Sequence, residues 1–245
     1  MCKFSKSLYG LKQAPRAWFH RLTSFLQDLG FQASKADSSL FILHQGALKF
    51  YVLIYVDDIL LACSDSTKLD WFLSKIKSTF PVRDLGSLHF FLGILAQFSA
   101  NGLLITQRKY IIDMLANSNM SDCKPCHTPM SISPPLSKLS DDPLSNVEQY
   151  RQVVGSLQYI TLTRPDISFL VNKLSQFMNQ HTQEHWIAVK RLLRSLKATV
   201  GFGLFFSKHS TLDLQCFTDS DWGGCPDDRQ STNGYAVYLG KILIS

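Results

Sequence analysis

Asp57 and Asp58 stand side by side between two apolar runs, Phe50-Tyr51-Val52-Leu53-Ile54-Tyr55-Val56 and Ile59-Leu60-Leu61-Ala62. Aromatic, aliphatic and β-branched residues in that order read as two strands of a buried hairpin with the acid pair at its tip. Carboxylates enclosed by apolar strands repel each other and lose hydration, so a positive charge has to offset them. An all-oxygen donor pair suits a hard cation such as Mg2+, with Mn2+ as a substitute. The same residues also read as a polar Asp-Asp turn between two ordinary strands.

Four other groups have chemistry in reach. Gly10-Leu11-Lys12-Gln13 sets a flexible backbone, a cation and an amide just ahead of a helical pattern that carries Arg16. That composition fits phosphates or a template strand, and equally a capped loop with a solvated lysine. Lys190, Arg191, Arg194 and Lys197 fall on one helical face, either a phosphate-binding stripe or a solvated surface. Asp219 and Asp221 close a strand pattern in Phe217-Thr218-Asp219-Ser220-Asp221-Trp222, as metal ligands or as turn residues. Cys123-Lys124-Pro125-Cys126-His127 has the spacing of a haem-attachment string, and its cysteines could supply half of a zinc site. No second Cys/His pair lies at ligand spacing, so neither haem nor zinc is expected.

These groups need elements to hold them. Apolar spacing predicts a helix over 14–29 with Pro15 in its first turn, strands over 39–43 and 47–55, and a helix from Leu69 to Phe80 capped by Ser66 or Thr67. A strand over 88–97 pairs with 103–106 through Asn101-Gly102, and a short helix covers 107–117. A Pro- and Ser-rich stretch over 128–146 reads as a linker, followed by helices over 147–162, 165–178 and 184–200. The rest switches to β periodicity over 203–207, 212–218, 234–239 and 241–244. That last sheet lacks helices to cover it and is expected to be the least stable part.

The 245 residues are 45% hydrophobic and 18% charged, enough to build one or two cores, and the net charge of +6 favours an anionic partner such as nucleic acid. No apolar run is long enough for a membrane span, no membrane partner is expected, and the first residues lack a signal-peptide core. An intracellular protein, cytoplasmic or nuclear with an organelle as the alternative, and with reduced cysteines, is the expectation.

Tyr55-Val56-Asp57-Asp58 between its strands resembles the palm-domain metal motif of reverse transcriptases. Upstream Ser7-Leu8-Tyr9-Gly10-Leu11-Lys12-Gln13-Ala14-Pro15-Arg16-Ala17-Trp18 and downstream Asp84-Leu85-Gly86-Ser87-Leu88-His89-Phe90-Phe91-Leu92-Gly93-Ile94 resemble, in order, the neighbouring blocks of copia-type retrotransposon polymerases. The resemblance implies an α+β fold: a partial right-hand polymerase palm with thumb and connection helices, followed by an incomplete ribonuclease H-like β-sheet. The implied domains are a palm and the start of a thumb over 1–127, a linker over 128–146, a helical connection over 147–200 and a ribonuclease H-like segment over 201–245.

For function, the resemblance implies an RNA-directed DNA polymerase using two metal ions, a template-primer and deoxynucleoside triphosphates. Asp57 would be the main metal ligand and Asp58 the second, with Tyr55 supporting the primer end. Lys12, Gln13 and Arg16 would contact substrate, and Phe91-Leu92-Gly93 would fall in the primer grip, bordered by Lys75, Lys77 and Arg83. Asp219, with Asp221 as the alternative, would be the first ribonuclease H ligand. The family's palm also uses an aspartate on a strand ahead of residue 7, so the chain is expected to be incomplete and inactive alone. A non-catalytic basic nucleic-acid binder, or an unexpressed relic, is the alternative.

Overall fold

A computed structural model of the chain describes residues 14–131, 136–138 and 147–245. Its contacts divide into two units, 1–88 and 89–245. The Pro/Ser-rich stretch, by contrast, suggests a division over 128–146. The reason is packing: α3 (Arg108–Asn117), ahead of that stretch, shares one core with α4 (Val147–Ile160), α5 (Ser168–Ser175) and α6 (Gln183–Ala198) behind it.

The first unit is an antiparallel sheet in the order β1 (Gln32–Ala33), β2 (Leu40–Gln45), β3 (Leu48–Tyr55), β4 (Asp58–Cys63), with helices α1 (Ala14–Asp28) and α2 (Ser66–Thr79). Alternation along β3 sends Phe50, Val52 and Ile54 to one face. There they meet Phe41 of β2, Leu22 and Leu26 of α1, and Phe72 and Ile76 of α2. The Phe72 ring contacts those of Phe50, Phe31 and Phe25 at centroid distances of 5.1, 5.6 and 6.4 Å, so the rings tie both helices to the sheet. The cap of α2 is Asp65, whose carboxylate accepts from the Thr67 and Lys68 amides at 2.8 and 3.3 Å, in place of the expected Ser66 or Thr67. An aspartate satisfies two orphan amides and adds favourable charge at the N-terminus.

In the second unit the strand expected over 88–97 is broken into β5 (Phe90–Phe91) and β6 (Ile94–Ser99). Phe91 pairs with Ile94, so Leu92 and Gly93 form a two-residue turn with φ of +48° and +75°. Positive φ at both positions is the type I′ signature, and leucine in the first hides it from pattern reading. β6 continues to β7 (Gly102–Thr106), and β7 pairs with β8 (Leu204–Ser207). Its sequence pattern alone groups that strand with the C-terminal sheet. A Cβ on Gly102 would run into the Phe206 carbonyl, so glycine is what lets β8 approach.

The remaining sheet has the order β11 (Ile242–Leu243), β10 (Asn233–Leu239), β9 (Leu214–Ser220), and every position of β9 is exposed. Arg164 ties the helices together inside the second unit: it is 4% exposed, forks onto Asp166 at 2.8 and 2.7 Å, and donates to the Thr199 carbonyl at the end of α6 at 3.1 Å. Among the described residues no helix is long and apolar enough to cross a membrane.

Candidate functional site

The β3–β4 register places Tyr55 opposite Asp58, so Val56 and Asp57 are the two turn residues and Asp58 opens the returning strand. All four residues of the motif are exposed, Tyr55 by 53% and Val56 by 64%. The expected burial of the acid pair is therefore corrected: the apolar strands bury Val52 and Ile54 below the tip, and the tip itself projects into water. Desolvation is not what would recruit a cation here. The unusual feature is Val56 at φ +51°, a left-handed conformation that a β-branched side chain disfavours. Strain of this kind persists where the surrounding structure enforces it, and here the paired strands fix both ends of a turn with no spare residue.

Neither Asp57 nor Asp58 enters an ion pair among the described residues. Their carboxylate oxygens are adjacent hard donors at one hairpin tip, chemically suited to Mg2+ or Mn2+. Among the described residues no group of three or more His, Cys, Asp or Glu side chains is arranged to hold a metal ion.

Arg16 is exposed in the first turn of α1, in the same unit as the hairpin, while Lys12 and Gln13 lie outside the described residues. Lys77 pairs with Asp84 at 2.9 Å, and Lys75 and Arg83 are exposed. Phe91, Leu92 and Gly93 belong to the second unit, where Tyr159 of α4 donates its hydroxyl to the Leu92 carbonyl and packs its ring on Gly93. Gly93 therefore permits the turn and the close approach of Tyr159.

The basic face of α6 is neither bare nor simply solvated. Lys197 donates to the carbonyls of Ser121 and Cys123 at 2.5 and 2.8 Å, Arg194 to that of Lys124 at 2.6 Å, and Arg191 to the Thr128 hydroxyl at 2.6 Å. Lys190 sits 5.6 Å from the Trp186 ring. Three of the four cations thus anchor the segment 121–128, a role that helical spacing alone could not reveal because their partners lie some 70 residues away in sequence.

Asp219 lies on exposed β9 and accepts from the amide of neighbouring Ser220 at 2.9 Å. Asp221 exchanges bonds with Thr232, donating its amide at 3.1 Å and accepting at its carboxylate, and so closes the connection to β10. Each of the two carboxylates accepts one backbone amide.

The family model for reverse transcriptase (RNA-dependent DNA polymerase) matches residues 1–132. The chain belongs to that family. It is 50% identical over all its 245 residues to a retrovirus-related Pol polyprotein from transposon RE1 of Arabidopsis thaliana, covering 17% of that protein. Over its whole length it is 35% identical to the Pol polyprotein from transposon TNT 1-94 of Nicotiana tabacum, covering 19% of it. An uncharacterized mitochondrial protein of Arabidopsis thaliana, AtMg00810, is 44% identical over 195 residues, which are 80% of this chain and 81% of the relative. The chain therefore spans under a fifth of the length of these transposon polyproteins. No solved structure matches it.

Proposed function

We propose that this reverse transcriptase-like chain forms part of a polymerase palm in which Asp57 and Asp58 hold a divalent cation for RNA-directed DNA synthesis. The observation that carries the reading is the pair of exposed carboxylates, without ion-pair partners among the described residues, where a strained two-residue turn meets its returning strand. A bound cation would lower the pKa of a primer hydroxyl and neutralise charge on the triphosphate. Asp57 and Asp58 supply oxygen donors. Tyr55, opposite Asp58 and half exposed, offers a ring against which a primer end can rest.

A two-metal site needs further ligands, and the described residues offer no third one beside this pair. The proposal therefore assigns nucleotidyl transfer to a longer Pol polypeptide that completes the ligand set, and expects none from this chain alone. Template-primer and deoxynucleoside triphosphates are the proposed partners, and Asp219 on β9 is proposed as the first ligand of a ribonuclease H-like site. Non-catalytic binding to nucleic acid is the second reading, favoured by the net charge of +6.

Primer extension with Mg2+ or Mn2+ tests the first reading. The isolated chain should give no product. Joined to adjoining Pol sequence of a transposon relative it should extend a primer, and Asp57→Ala should cut the rate by on the order of 100-fold or more. Extension by the joined protein that survives Asp57→Ala would overturn the assignment.

A further inference from the structure

A net charge of +6 attracts a polyanion most strongly through cations that are not already bonded within the fold. Arg191, Arg194 and Lys197 of α6 are taken up by the segment 121–128, which crosses that helix as a strap, and Lys77 by Asp84. On α2 the situation differs. Its apolar side packs Phe72 and Ile76 into the core of the first unit. On one flank of the same helix, Lys68, Trp71 and Lys75 recur at steps of three and four residues, which sets them in line, and all three are exposed. Trp71 is 44% exposed, and Lys68 Nζ lies 5.9 Å from the centre of its ring. Neither lysine enters an ion pair among the described residues. Asp70 lies roughly 100° or more around the helix from each of the three. Asp65, next to this line at the N-cap, commits its carboxylate to the amides of Thr67 and Lys68 and to the Thr67 hydroxyl.

We propose, resting on the nucleic-acid-binding reading above, that this flank of α2 is a docking surface for single-stranded nucleic acid, with a base stacked on Trp71 and phosphates held by Lys68 and Lys75. Its composition selects the partner. Two lysines alone take any polyanion, whereas an exposed indole between them adds a π-face on which every base stacks, the combination used by sequence-independent single-strand binders. The lysines are separated by about 10 Å along the helix axis, a span that a flexible strand bridges and that their long side chains adjust. A duplex, with its bases paired and stacked inside, offers this face phosphates and no free base.

The experiment uses the full chain with two labelled probes of equal length and charge, oligothymidylate and a strand of abasic sites. Anisotropy titrations read the Kd of each across salt. We expect oligothymidylate to bind about 10-fold more tightly than the abasic strand, and Trp71→Ala to remove that preference. Trp222→Ala, which deletes an indole that is 99% exposed, should keep it. The Lys68→Gln, Lys75→Gln double variant should lower the slope of log K against log salt by about 1.4, the share of two phosphate contacts on a single strand. Photocrosslinking of a 4-thiothymidine strand to the wild-type chain, mapped by mass spectrometry, should mark α2 without reliance on any variant. Failure of both strands to bind at low salt would overturn the proposal together with the reading beneath it. Equal affinity for the two strands, or crosslinks confined to other elements, would overturn the proposal and leave that reading standing.

Discussion

Val56 is the residue on which the hairpin tip turns. A side chain of its shape in the left-handed region costs roughly 1–2 kcal/mol, and glycine there escapes the cost while losing about 0.4–1 kcal/mol through a freer unfolded chain. Val56→Gly should therefore leave the first unit equally stable or more stable by up to about 1.5 kcal/mol, read as the midpoint of urea unfolding. Destabilisation would show that Val56 is not strained. His185 gives a second residue-scale test. It is fully buried against the Phe177 ring at 3.9 Å, accepts the Thr182 amide at 2.9 Å, and burial first of all pushes its pKa below the ordinary imidazole value of 6.5. The folded state then binds fewer protons than the unfolded one as pH falls below 6.5. Its contribution to stability is present above pH 6.5 and is lost as pH falls from there through the depressed folded value. Unfolding midpoints of the second unit should drop between pH 7 and pH 5, and His185→Gln, which keeps an acceptor for Thr182, should flatten that drop. Midpoints that do not change with pH would contradict the assignment.

At the scale of elements, the regular alternation of Phe50, Val52 and Ile54 and the Asn101-Gly102 signal made β3 and the β6–β7 hairpin legible from the sequence. The β5–β6 turn was not legible, because Leu92 occupies a position that normally advertises itself with Asn, Asp or Gly. The pairing of β8 with β7 was hidden for another reason: its hydrogen bonds join residues about a hundred positions apart, and no local pattern encodes such a partner. The acid pair and its turn were legible, whereas the exposure of the tip was not, since strand patterning reports the faces of a sheet and not how far its end projects. The strap across α6 carries a prediction. Arg194→Ala removes a charged donor from the Lys124 carbonyl and should cost about 1 kcal/mol, with a rise in proteolytic cleavage confined to 121–128. A variant indistinguishable in both respects would mean that the strap does not depend on this contact. The C-terminal sheet carries another: β9 is exposed at all seven positions and Trp222 beside it is 99% exposed, so little apolar burial supports these strands. Amide exchange should be fast in β9 to β11 and slow in α4 to α6, whose core residues Leu157, Leu174 and Leu193 are fully buried. Equal protection would contradict this.

For the whole molecule, the net charge of +6 makes non-specific affinity for polyphosphate the expected background to any catalytic role. Because Arg191, Arg194 and Lys197 already bond the strap, their share of counterion release should be small, and affinity for single-stranded DNA should fall with salt while Lys197→Gln leaves the slope nearly unchanged. That background cannot by itself separate a palm from a basic binder. The separating feature is the pair of carboxylates at the β3–β4 tip, proposed as oxygen ligands, beside which the described residues bring no further His, Cys, Asp or Glu into a metal-binding group. The most direct test is to titrate the full chain with Mn2+ and follow paramagnetic broadening of backbone amides by NMR. The account predicts broadening centred on Tyr55 to Ile59 at metal concentrations on the order of millimolar, as suits a site of few charged ligands, and its loss in the Asp57→Asn, Asp58→Asn double variant. Broadening that is centred elsewhere, or that persists unchanged in the double variant, would contradict it.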